Sequence, residues 1–261
     1  MPQYRFLLAL CLRESEPNRQ PGARMANAEP DVTPESLLAE LADEFPSVPE
    51  YQHELAVTWS RVNTHQLDEA SLEPVMMEEW LTRARDQARS LYDHHPTVPA
   101  YASNLIHIYG KLSHVQTQIA DVFVDRSDRD EVIIESERNL RAAIALQESL
   151  IRRSGDVLAW RLWLARFERR LGDMLMRQAR GKEARTVFDK AVDRLKDFID
   201  SIPDVEVSEA SLRILASLFE GLENACKSVN DTDGAIDARI GAEFNRARLQ
   251  ESRRGNRPPS F

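Results

Sequence analysis

A short pattern returns along this chain at nearly constant spacing: Val or Pro, then an aromatic residue, then Leu four residues further on. It reads Pro2-Gln3-Tyr4 with Leu8-Ala9, Val48-Pro49-Glu50-Tyr51 with Leu55-Ala56, Val98-Pro99-Ala100-Tyr101 with Leu105, Val157 and Trp160 with Leu164-Ala165, and Val205 and Ser208 with Leu212. The anchors stand 47, 50, 59 and 48 residues apart. Self-similarity at this period marks a stacked array, in which each unit is one supersecondary element that buries its apolar face only against its neighbours.

Each unit reads as a helical hairpin whose first helix starts at the anchor. Leu55, Trp59 and Val62 follow Tyr51 at helical spacing, as Leu105, Ile108, Tyr109 and Leu112 follow Tyr101, and each set forms one apolar stripe. Second helices are expected at 79–94 before Pro96, 138–153 before Gly155 and 182–201 before Pro203. The fourth unit is the clearest, with Leu171-Gly172 on its first helix and Ala184, Phe188 and Ala191 on one face of its second.

That order of Leu-Gly, Ala, aromatic and Ala resembles the tetratricopeptide repeat, a helix-turn-helix unit. The longer period and the Pro-x-Tyr-x-x-x-Leu-Ala opening look like the variant in planctomycete-type bacterial proteins, where it forms tails behind Ser/Thr kinase domains or separate repeat proteins. The resemblance implies an all-α fold of tandem helical hairpins stacked as a TPR-like right-handed superhelix, an α-solenoid. Departures are Ser208 for the last aromatic anchor, Val62-Asn63 for Leu-Gly, and Leu81 and Leu140 where an aromatic is usual.

The expected organisation is a partial first repeat helix at 1–13, a flexible linker at 14–32, the repeat array at 33–252 and a disordered tail at 253–261. The linker expectation rests on Pro17, Pro21 and Pro30 and on the lapse of apolar periodicity. Thr33-Pro34-Glu35 then reads as a helix start, a hydroxyl N-cap followed by Pro in the first turn. The charged insertion at 124–132 is placed in an exposed turn or a helix extension.

Composition supports helix: charged residues make up 30% and Gly is scarce at nine. A net charge of -9 argues against a general nucleic-acid binder, which needs a positive face. The first 130 residues hold 21 acids and 11 bases, whereas from Arg138 to Lys196 bases outnumber acids 15 to 7. Cys11 and Cys226, at opposite ends of the sequence, suggest neither a disulfide framework nor a zinc site, so a reducing cytoplasm is the expected location. The apolar run 6–12 is too short to span a bilayer and is read as a helix of the first unit rather than a secretory signal.

Signatures of catalysis are sought without result. No Gly-rich phosphate loop, His-Glu-x-x-His helix or nucleophile elbow occurs, and the kinase set is missing; Val124-Asp125-Arg126 and Asp128-Arg129-Asp130 read as a charged turn. His107 and His114 share a helix face but lack a third metal ligand, and His94-His95, His53 and His65 have no identifiable partners. Trp160 is read as a core anchor with Trp163 packing on the next hairpin, and Met76, Met77, Met174 and Met176 as gap fillers.

In the resembled family the first helix of each hairpin lines a concave groove. That mapping puts Arg166, Arg169 and Arg177 on the inward face of the fourth unit, with Arg170 at its edge, and His107 and His114 in the same groove. The alternative is a solvated basic face neutralised by Glu168, Asp173 and neighbouring acids. The reading reached is a non-catalytic scaffold without cofactor or metal that binds a protein or peptide segment, acidic or phosphorylated, and neither nucleic acid nor membrane. The competing reading is a regulatory repeat segment of a bacterial Ser/Thr kinase signalling system whose catalytic domain is outside this chain.

Overall fold

A computed structural model describes residues 1–15, 32–61, 73–122, 126–155, 157–203 and 207–255. Among them the chain forms ten helices and no strand: α1 (Pro2–Ser15), α2 (Pro34–Glu44), α3 (Pro49–Trp59), α4 (Glu73–His94), α5 (Pro99–Val122), α6 (Arg126–Ser154), α7 (Leu158–Arg177), α8 (Gly181–Ser201), α9 (Glu209–Ser228) and α10 (Thr232–Gly255). The structure divides into two compact units, Met1–Leu146 and Gln147–Phe261. Most of the expected linker, and Val62-Asn63, lie outside the described residues; of the insertion, residues 126–132 belong to α6.

In the first unit each of α1 to α4 packs on the next helix, as expected of stacked helical hairpins. Thr33 caps α2 reciprocally with Ser36, its hydroxyl accepting from the Ser36 amide at 3.1 Å while the Ser36 hydroxyl accepts from the Thr33 amide at 3.1 Å. One core cluster joins Ala9, Leu37, Leu38 and Leu55, and another joins Met77, Leu81, Leu112, Val115 and Ile119. Leu81 is fully buried and serves as a core residue of α4. Tyr4, expected as the first anchor, is 68% exposed; Phe6 instead meets the Tyr51 ring at 5.1 Å.

A buried polar ladder ties α5 to α6 and α4. Asn139 donates to Gln116 at 2.8 Å, Gln116 donates to Glu78 at 2.9 Å, and the Ser136 hydroxyl donates to the Ser113 carbonyl at 2.8 Å. Every one of these bonds answers a polar group that burial would otherwise penalise.

In the second unit α7 packs on α8, α8 on α9 and α9 on α10, and α7 also touches α9. First helices of successive hairpins therefore lie side by side. Ala184, Phe188 and Ala191 are fully buried, as their spacing predicts. The last hairpin departs from the expected register. Val48 and Val157 are the N-caps of α3 and α7, but α9 is capped by Ser208, whose hydroxyl accepts from the Ser211 amide at 3.2 Å. The residue equivalent to the aromatic anchor is thus the fully buried Ser211, and Leu215 rather than Leu212 takes the place of Leu55 and Leu164. A hydroxyl that satisfies an orphan amide decides where the helix begins.

Candidate functional site

Helix α7 owes its two faces to sequence spacing. Leu164, Phe167, Leu171, Gly172 and Leu175 turn inward and are buried, while Arg166, Arg169, Arg170, Asp173 and Arg177 share the opposite, exposed face. Positions 166, 169, 173 and 177 succeed one another at steps of three and four, so their side chains form a continuous strip along the helix.

Within the strip the charges are unevenly answered. The Arg166 guanidinium lies over the Trp163 ring, 4.8 Å from its centroid, and Trp163 in turn stacks on Phe167 at 6.0 Å. This cation–π contact holds the guanidinium in place and leaves its charge unneutralised. Arg169 pairs loosely with Asp173 at 3.5 Å, both groups about half exposed. Desolvation raises the Asp173 pKa, opposed by the charges of Arg169 and Arg177. At Arg170 the guanidinium pKa is lowered mainly by desolvation, with smaller contributions from the charges of Arg169 and Arg166.

The other acid expected to neutralise the strip does not belong to it. Glu168 is only 5% exposed and turns to the far side of α7, where it meets Arg194 of α8. Its place among Leu164, Leu171 and Leu175 on the inward stripe is the signal in the sequence that marks it as buried. Trp160, expected in the core, is half-buried; its carbonyl accepts a bond from Gln147 at 3.2 Å.

His107 and His114 lie on one face of α5, in the first unit, and are half-buried. His107 Nδ1 is 2.7 Å from the Ser103 carbonyl of its own helix. The three arginines come together on α7 and the two histidines on α5, each set within its own unit. Among the described residues no group of three or more His, Cys, Asp or Glu side chains is arranged to hold a metal ion, and both cysteines are free thiols. No described helix is long and apolar enough to cross a membrane. Among the described residues His53 Nδ1, Asn104 Nδ2 and Gln118 Oε1 are buried without a hydrogen-bond partner. His53 packs on the Tyr101 ring at 5.0 Å, and burial lowers its pKa.

A cavity of about 720 Å³ opens between the α7–α8 and α9–α10 turns, lined by Met176, Arg180, Lys182, Ser228 and Asn230 among others. Arg180 there is clamped by both Glu183 carboxylate oxygens at 2.7 and 2.6 Å, so much of its charge is spent locally. The strip on α7 is the more exposed cationic surface.

No protein-family model and no curated protein matches the chain. Among solved structures, the chain is similar to TTC0263, a thermophilic TPR protein in Thermus thermophilus, at 15% identity and a TM-score of 0.37, with 96% of this chain and 98% of that one covered. It is likewise similar to BtubC (BKLC) from P. vanneervenii at 15% identity and a TM-score of 0.38, covering 100% of this chain and 92% of that one.

Proposed function

We propose that this chain is a non-catalytic interaction scaffold, working in the cytoplasm, whose α7 face binds an acidic or phosphorylated protein segment. The observation that supports it is the strip itself, on which Arg166, Arg169, Arg170 and Arg177 share one exposed helix face with a single carboxylate, Asp173. Guanidinium groups spaced along a rigid helix suit bidentate contact with carboxylate or phosphate oxygens, and the Trp163 ring holds the Arg166 guanidinium in place for such a contact. Stacked first helices are also a suitable bed for an extended peptide. His107 and His114, on α5, are proposed as partner contacts within the first unit.

Fluorescence anisotropy with a labelled Glu-rich peptide, its Gln-for-Glu counterpart and a phosphoserine version tests this reading. The acidic peptides should bind and weaken steadily as salt is raised, because exposed charges are screened beyond about 10 Å at 0.1 M ionic strength. Equal binding of the neutral counterpart, or affinity independent of salt, would sink it.

A further inference from the structure

Glu168 stands at the meeting point of three helices. Arg194 of α8 places one guanidinium nitrogen, Nη1, 2.6 Å from Glu168 Oε1 and 2.6 Å from Glu148 Oε1 of α6. The charged groups facing Glu168 are therefore Glu148 from α6, Arg194 from α8 and, on its own helix, Arg161, which also lies against the Phe198 ring at 5.7 Å. Glu148 is 28% exposed and Arg194 37%, so water reaches both, whereas Glu168 at 7% side-chain exposure is almost shut off from it.

Two ionised carboxylates on a single donor nitrogen repel each other, and the one without solvent bears the cost. Burial pushes the Glu168 carboxyl up to about 7; Arg194 pulls it back, Glu148 drives it up further, and Arg161 adds a smaller opposing pull.

We propose that Glu148, Arg194 and Glu168 form a proton-operated clasp that seats α7 against α8 and the last turns of α6, all within the second unit. With Glu168 neutral, Arg194 serves the Glu148 carboxylate and accommodates the Glu168 carboxyl beside it. With Glu168 ionised, the two acids compete for the same nitrogen and the buried charge draws water in, so α7 is held less firmly. A carboxyl whose folded pKa lies above its ordinary 4.5 binds more protons folded than unfolded between those values, so its contribution is complete below about 4.5 and is lost as pH rises through about 7. The clasp does not depend on what the opposite face of α7 binds.

Hydrogen exchange of the α7 amides in the full chain, corrected for intrinsic rates, tests it, together with a 13C titration of the Glu168 carboxyl. Between about pH 6 and about pH 8 the protection factors of α7 should fall about tenfold, the change linkage gives for the one pH unit below the folded pKa, and should level off above it. Glu168→Gln should abolish the fall, and Glu148→Gln, which removes the repelling neighbour, should shift it to lower pH. An unchanged fall in Glu168→Gln, a shift to higher pH in Glu148→Gln, protection independent of pH in the wild type, or a Glu168 carboxyl titrating in the ordinary carboxylate range would each overturn the proposal. The titration uses the wild-type chain, so it decides even if a substitution prevents folding.

Discussion

The Phe188 ring presses on the α-carbon of Gly172: a β-carbon at residue 172 would stand 2.4 Å from Phe188 Cζ. On its other side the ring meets Gly221 of α9 just as closely, where a β-carbon would come within 2.3 Å of Phe188 Cε1. One side chain from α8 thus fills a slot left open by the absence of side chains on α7 and α9, and three helices close over it. Phe188→Ala should cost about 3 to 5 kcal/mol as a large-to-small core change, and Gly172→Ala about 1 to 3 kcal/mol by overpacking. The two together should cost less than their sum, because the added methyl enters the vacated space; strict additivity in urea denaturation would show that the residues do not share a site.

Capping sets the start of α9. Ser208→Ala removes the acceptor of the Ser211 amide and should lower stability by about 1 kcal/mol, whereas Ser208→Asp, which keeps an acceptor, should cost much less. Equal losses in chemical denaturation would place the start of the helix elsewhere.

His53 links the first unit to pH with the opposite sign from Glu168. Burial lowers its pKa from 6.5, so the folded chain binds fewer protons than the unfolded one below that value. Its contribution is present above pH 6.5 and declines as pH falls through the folded pKa. Protection of α3 amides should therefore weaken in mild acid, and His53→Gln should remove that dependence; a wild-type His53 imidazole titrating at or above 6.5 by NMR would contradict the burial argument.

Much of this architecture is legible in the residues because helical periodicity and small-large-small spacing are local. Ala184, Phe188 and Ala191 lie three and four apart, and their burial follows from that spacing alone. The start of α9 is not legible in the same way, since Ser208 reads as a failed aromatic anchor until its hydroxyl is seen to accept an amide. Glu168 fails for a different reason. Its phase with Leu164, Leu171 and Leu175 marks it as inward, but the neighbouring Arg166 and Arg169 suggest a solvated face, and the Arg194 that makes burial tolerable stands 26 residues further along. The arginine strip is local and so is visible as a face of α7, while the cation–π seat of Arg166 on Trp163 depends on rotamers that no spacing specifies.

The central claim, that the exposed face of α7 binds an acidic or phosphorylated segment, is tested most directly by reversing two of its charges. Arg166→Glu with Arg169→Glu replaces no buried side chain, so the melting temperature should stay within a few degrees, as exposed substitutions typically allow. Anisotropy titration of the Glu-rich and phosphoserine peptides against this variant and the wild type is the measurement. The account predicts wild-type binding that weakens with salt and is lost in the folded double variant; unchanged affinity in that variant would contradict it.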